Sequence, residues 1–339
     1  MRYFYRTIAI VLLMLAFLSQ GCSKGEKVYS REWVYFGTVV GIKFYATQRP
    51  PDKLFDTVKR TYAYWDSLTD FYDRNSALYK LNREIEETVV VDSNLAKLIC
   101  EALRWKKLTH SKLTPLIGPL VRLWGIGKKG KYIPDKYKID SALSYIETCY
   151  VKCISDTIMV LHGRPVIDLS AYAKGWVVDR IYHEILPIVR ERKDIRGFII
   201  DAGRNLRVWR RDGGTYKIGI SNPRGKGIIK IFELPSGMSC ASAGDYEQFF
   251  IVDGKRYHHI FDPMTGYPAS GAIAATAICV DGIDADALST AAVVIGRDCD
   301  DVAKRVGCEV ILFEEMGKKV VSSLYGTRIV RFASREGEL

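Results

Sequence analysis

Two hydrophobic rhythms run along the chain and divide it into strands and helices. From Val34 to Ala46, the residues Val34, Phe36, Thr38, Val40, Ile42 and Phe44 alternate with small or polar ones. That period of two predicts a strand, with glycines at 37 and 41 inside it, ended by Pro50-Pro51. From Asp52 to Leu68 the rhythm changes: Leu54, Phe55, Val58, Tyr62 and Trp65 fall at helical spacing. Asp92-Ser93 caps a second helix, whose apolar face is Leu95, Leu98, Ile99, Ala102 and Leu103. A helix over Ile139–Cys149 and strands near Tyr150–Ile154 and Thr157–Leu161 follow. Val166–Asp168 reads as a β-run that stops at an aspartate. A helix then runs through about Val189 on Val177, Val178, Ile181, Ile185 and Leu186.

Gly197–Asp201, Leu206–Trp209 and Tyr216–Ile220 read as antiparallel strands. Two β-prone runs, Tyr246–Val252 and Tyr257–Phe261, flank Asp253-Gly254, the strongest short hairpin signal a sequence offers. Ala272–Val280 is a strand, Asp284 to about Ile295 a helix, and Cys299–Leu312 a further helix and strand before a basic, β-prone tail. A strand-rich middle with flanking helices predicts an α+β fold, antiparallel sheets flanked by helices.

Composition changes this picture little. With 339 residues, 48% apolar and 26% charged, the chain can bury a large core and is not disordered. Its net charge of +11 suits a nucleic acid, an anionic surface or a phosphate-bearing substrate. No nucleic-acid motif supports the first, and patches such as Lys128–Lys138 read as solvated loop.

The first residues carry more information. Arg2 and Arg6 precede an apolar run from Ile8 to Leu18, too short for a stable membrane span and shaped like a signal peptide. Gly21-Cys22 follows, resembling a bacterial lipobox. The expected organisation is therefore a signal peptide over 1–21, a lipidated Cys22 with a tether over 22–33, and one domain over 34–339 at an extracytoplasmic membrane face. Seven other cysteines remain, an odd number with no paired spacing, so no disulfide framework is expected and most read as buried small hydrophobes.

Three places carry candidate chemistry. The hairpin ends in His258, His259 and Asp262, groups able to move a proton at a pocket, or else ordinary polar residues of a solvated hairpin. Asp168 and Lys174 flank a helix start, where free N–H groups and the dipole favour a phosphate; alternatively Asp168 caps the helix and Lys174 is surface. Asp286 and Thr290, four apart, share a helical face. A carboxylate and a hydroxyl suit Mg²⁺, or else are a cap and an internal threonine. There is no dinucleotide GxGxxG, P-loop or CxxC.

Several ordered motifs resemble the ApbE family of flavin transferases. They are Leu113–Gly125, Val166–Gly175, Ile200–Asn205, Gly219–Arg224, Ser242–Pro268 and Asp284–Ala292, spread over roughly Phe36 to Leu312. The resemblance implies an ApbE-like flavin transferase fold and transfer of FMN from FAD onto a threonine of an acceptor protein, releasing AMP. It implies FAD contacts at Phe36, Tyr72, Leu113 and Thr114, and at Asp168, Lys174 and Ile260. Mg²⁺ is then held by the Ala171 carbonyl, Asp286 and Thr290, with His259 as base oriented by Asp262. Two positions depart from the pattern: Thr114 replaces an aspartate, and Arg204 replaces a glycine that would be strained if φ is positive there. FAD hydrolysis and flavin binding without chemistry stay open as alternatives. No acceptor motif lies in the chain itself, so a partner protein is expected to carry the threonine.

Overall fold

A computed structural model of the chain describes residues 25–127, 130–317 and 319–332. The expected leader, Cys22 and Lys128 lie outside them. The chain opens on a hairpin, β1 (Lys27–Tyr35) and β2 (Thr38–Ala46). The alternation over Val34–Ala46 is therefore two strands, because Phe36 (φ 53°) and Gly37 (φ 66°) form a tight turn in its midst. Residues 27–33, read as tether, belong to β1.

Helix α1 (Asp52–Thr69) follows the Pro51 break and buries Leu54, Phe55, Val58, Tyr62, Trp65 and Leu68. The Tyr62 hydroxyl donates to the carbonyls of Gly41 (3.2 Å) and Asp201 (2.9 Å), pinning the helix across two strands. Next come α2 (Ala77–Leu81), β3 (Thr88–Val90) and α3 (Ser93–Leu108). Asp92 caps α3 by accepting from Asn94 N and Leu95 N. A short 3₁₀ turn, Pro115–Ile117, leads into α4 (Gly118–Trp124), then α5 (Lys136–Thr148), β4 (Tyr150–Cys153) and β5 (Ile158–His162).

Helix α6 (Ala173–Glu191) precedes β6 (Ile195–Ala202), β7 (Asn205–Arg210), β8 (Thr215–Ser221), β9 (Ile228–Pro235) and β10 (Ser239–Gly244). The Asp253-Gly254 hairpin is β11 (Phe249–Val252) and β12 (Lys255–His258), shorter than the apolar runs suggest. Strand β13 (Ala274–Cys279), α7 (Gly282–Ile295), α8 (Cys299–Arg305), β14 (Glu309–Met316), β15 (Lys319–Gly326) and β16 (Arg331–Phe332) complete the described chain.

Eight strands form one antiparallel sheet in the order β1-β2-β6-β7-β10-β13-β14-β15. Strand alternation sends Phe198, Ile200 and Ala202 to one face, where α1, α6 and α7 cover them. Ile199 points to the other face, covered by the sheet β16-β9-β8 through Ile218, Phe232 and Leu234. Strand β13 is buried along its whole length, and α7 is apolar nearly all round, as a helix enclosed by its neighbours must be.

The cysteines depart from expectation. Cys100 of α3 is bonded to Cys153 of β4, and Cys279 of β13 to Cys308. Cys149, Cys240 and Cys299 are free and buried, as small hydrophobes.

Candidate active site

The starts of α6 and α7 touch backbone to backbone. A Cβ on Gly175 would lie 2.1 Å from the Gly282 carbonyl oxygen and 2.6 Å from Asp286 Cβ, so glycine alone fits there. Asp179, one turn further along α6, accepts from the N–H groups of Gly282 (2.7 Å) and Ile283 (3.1 Å) and pairs with buried Arg207 of β7. Desolvation pushes the Asp179 carboxyl up to about 6, opposed by Arg207 and those two amides. From the other side, Arg104 and Trp105 of α3 both donate to Asp284 in the first turn of α7. The helix that carries Asp286 and Thr290 is thus fixed at its N-terminus by three elements.

The segment before α6 is extended but is not a strand. Val166–Asp168 bonds instead to the Pro115–Gly118 turn, through Asp168 N to the Pro115 carbonyl (2.7 Å) and Gly118 N to the Val166 carbonyl (3.2 Å). Asn82 completes the hold by exchanging two 2.7 Å bonds with the backbone of Ile167. Asp168 does not cap α6. Its buried carboxylate accepts from Ser170 N (2.9 Å) and Ser170 Oγ (2.5 Å), closing the turn from which Ala171 and Tyr172 emerge. Burial raises its pKa, opposed by Ser170 and by the charges of Lys174 and His259.

Asp286 is buried, and its Oδ2 accepts from Gly175 N at 2.9 Å. In a regular helix that N–H would serve the Ala171 carbonyl; among the described residues no backbone N–H donates to it. Lys174 Nζ donates to the Ser170 carbonyl (3.0 Å) and stands 4.0 Å from Asp286 Oδ1. Burial raises the Asp286 pKa, opposed by Lys174, Gly175 N–H and the Asn205 amide. Asn205 Oδ1 and the Tyr172 hydroxyl are buried without a partner. Ala171, Asp286 and Thr290, with the unspent oxygen of Asn205, are an all-oxygen set of the kind Mg²⁺ takes. Among the described residues there is no group of three or more His, Cys, Asp or Glu side chains placed to hold a metal ion.

The two histidines face different ways. His258 is buried, its Nε2 against the Ala269 carbonyl at 2.9 Å and its Nδ1 accepting from Ile260 N, which makes it part of the hairpin's packing. His259 is half-buried. Its N–H donates to the Gln248 carbonyl at 3.1 Å, and its Nδ1 lies 3.4 Å from the same oxygen. Desolvation holds its pKa below the ordinary value, opposed first by the charge of Glu247.

Asp262 does not orient this imidazole. Its carboxylate accepts from Met264 N (2.9 Å) and stands 4.0 Å from Lys112, which commits it to its own Pro263–Gly266 turn. The segment against His259 is Glu247-Gln248.

The remaining expected flavin contacts spread around this centre. Tyr72 is half-exposed, and its hydroxyl feels the charge of Asp168. Phe36 stands on the β1–β2 turn with its N–H on Asp66 (2.7 Å), and Thr38 packs against Gly203 in the turn leading to Asn205. Leu113 and Ile260 are buried. The Thr114 hydroxyl accepts from Leu116 N (3.2 Å), so it caps the 3₁₀ turn that holds Asp168.

The sequence profile of the ApbE family matches residues 36–312. The chain belongs to the ApbE family. A protein of Haemophilus influenzae named FAD:protein FMN transferase is 25% identical over 307 residues, covering 85% of this chain and 87% of the relative. The crystal structure of the ApbE protein of Thermotoga maritima superposes with a TM-score of 0.77 at 30% identity, over 88% of this chain and 97% of the other. The flavin transferase ApbE of Vibrio cholerae gives 0.75 at 25% identity, over 88% and 97%. The α+β arrangement of antiparallel sheets and helices is the ApbE fold.

Within this ApbE chain, Glu247, Asn205 and the Asp179–Arg207 pair join the site without being announced by the sequence. Asn205 and Glu247 lie inside the Ile200–Asn205 and Ser242–Pro268 motifs, which mark neither of them out. The clamp at Asp179 carries no sequence signal beyond an aspartate on the apolar side of a helix.

Proposed function

We propose that the chain is an FAD:protein FMN transferase that moves FMN from FAD to a threonine hydroxyl of an acceptor protein, dependent on Mg²⁺. The observation that carries this reading is the diversion of Gly175 N–H to Asp286. It leaves the Ala171 carbonyl open beside a buried carboxylate at the start of a helix, where a pyrophosphate can be met. Lys174 adds a positive charge on the same side.

The chemistry is substitution at phosphorus. The acceptor oxygen forms a bond to the FMN-side phosphorus as the bridging P–O bond breaks, and AMP leaves with the bridging oxygen. A neutral hydroxyl needs a base, and His259 takes its proton. If Nδ1–H is directed at the Gln248 carbonyl, Nε2 is the accepting nitrogen. The Ala171 carbonyl, Asp286 and Thr290 would hold Mg²⁺, which would neutralise charge gathering on the phosphate oxygens. Asp168 shapes the turn that presents Ala171, and Asp179 fixes the helix that presents Asp286.

The location follows from the leader and Cys22: a lipid-anchored protein at an extracytoplasmic face. The disulfides Cys100–Cys153 and Cys279–Cys308 support it, because such bonds persist in oxidising compartments. Mass spectrometry of the mature N-terminus tests it; an unprocessed Met1 refutes it.

The decisive experiment incubates the purified protein with FAD, Mg²⁺ and a threonine-bearing acceptor. AMP release together with in-gel flavin fluorescence on the acceptor is expected. AMP with no labelled acceptor replaces the transferase with a hydrolase, and neither product refutes both.

A further inference from the structure

We propose that Arg204 and Glu247 are positioning residues for His259: Arg204 holds the Glu247 carboxylate, and the Glu247-Gln248 segment holds the imidazole. The proposal rests on the reading of His259 as the base.

Arg204 is held in a left-handed conformation, φ 75°, which a side chain of its size rarely adopts. Strain of this kind persists where the surroundings over-determine it. Here the backbone is fixed on both sides, by Arg204 N donating to Asp201 Oδ1 (3.1 Å) and the Arg204 carbonyl accepting from Ser242 N (3.3 Å). So aimed, the guanidinium lies 5.2 Å over the Tyr246 ring, and Nη1 donates to Glu247 Oε1 at 2.5 Å. Each partner of the pair is about one-third exposed (34%).

The next residue carries the effect to the histidine. The Gln248 carbonyl accepts from His259 N and faces Nδ1. A donor at Nδ1 leaves Nε2 as the basic nitrogen. The charged or titratable groups that bear on the imidazole include Glu247 before β11, Lys174 on α6, Asp168 before α6, and His258, the last residue of β12. Glu247 favours the imidazolium and Lys174 disfavours it. Arg204 neutralises Glu247, which also lies within electrostatic reach of Asp286.

The test is an NMR titration of the imidazole in FAD-free protein, with His259→Asn identifying the signal. Arg204→Gly leaves Glu247 uncompensated and moves the His259 midpoint up by about half to one pH unit. Glu247→Gln moves it down by a similar amount, and Arg204→Lys stays near wild type. Glycine suits a positive φ, so Arg204→Gly keeps the fold. The acid limb of kcat/KM moves in step with the midpoint. Midpoints unchanged within about 0.2 unit in both Arg204→Gly and Glu247→Gln overturn the proposal, since an adjacent charge shifts a titration by more. Midpoints that move while the kinetic limb stays still uphold the pair and remove His259 as the base.

Discussion

Gly175 donates its N–H to Oδ2 of Asp286 at 2.9 Å, joining the first turn of α6 to the second turn of α7. One bond thereby serves two ends. It settles a buried carboxylate, and it leaves the Ala171 carbonyl without its helical donor.

Gly175→Ala tests that junction. The new Cβ meets the Gly282 carbonyl and Asp286 Cβ, backbone and buried side chain, neither of which can swing away. The helices must part, at a cost of about 1–3 kcal/mol. A lowered melting temperature is expected, together with weaker binding of Mn²⁺ as a probe metal in FAD-free protein. A normal melting temperature with normal metal affinity contradicts the proposed role of the crossing.

Asp286→Ala removes the carboxylate but not the crossing. Turnover should fall on the order of 10²–10³-fold, because a metal's gain is on charge developing in the transition state. FAD affinity should change much less, since the change acts on developing charge and not on flavin recognition. Excess chelator should reproduce the same split in the native protein. Full turnover in chelator would exclude the metal role.

The elements that position this site differ in how plainly the sequence announces them. Helices α1 and α3 are visible because Pro51 and Asp92 mark their starts and one face is apolar throughout. Strand β1 is not, because Val28 and Val34 face out while Arg31 faces partly in, which erases the contrast between faces. Sequence proximity points to Asp262, three residues on, as the imidazole's neighbour. It is Glu247-Gln248 instead, because the register Phe249↔His258 brings the far strand of the hairpin alongside. Cross-strand proximity of that sort depends on where pairing ends, which the apolar runs overestimate. The metal candidates Asp286 and Thr290 were legible as a helical pair, but the release of the Ala171 carbonyl requires the contact between α6 and α7.

The disulfides were illegible for a related reason: their partners are 53 and 29 residues apart and meet only in the folded chain. Cys279→Ser/Cys308→Ser should lower stability by about 4 kcal/mol on chain-entropy grounds. Because Cys279 ends the strand leading into α7, metal affinity should weaken with it. Equal melting temperatures with and without reductant would show that the bond contributes nothing.

His259→Asn is the sharpest test of the chemistry. Asparagine keeps a polar group of similar reach at the hairpin end, so the backbone bond from residue 259 to the Gln248 carbonyl survives. FAD and metal binding should persist while transfer falls on the order of 10²–10⁴-fold, the usual range for a general base. The native enzyme's pH profile supplies the sign. Burial lowers the histidine's pKa, so the imidazole stays neutral, and able to accept a proton, to a more acid pH than a free histidine. The fall in rate, as the ring takes up a proton, should come at a more acid pH than a free histidine's. His258→Ser serves as the control for stability, since His258 is buried with its Nε2 on the Ala269 carbonyl. If His259 merely pins the hairpin, its loss lowers melting temperature, FAD affinity and AMP release together. A base predicts that only the last collapses, and near-normal turnover in His259→Asn would end that assignment.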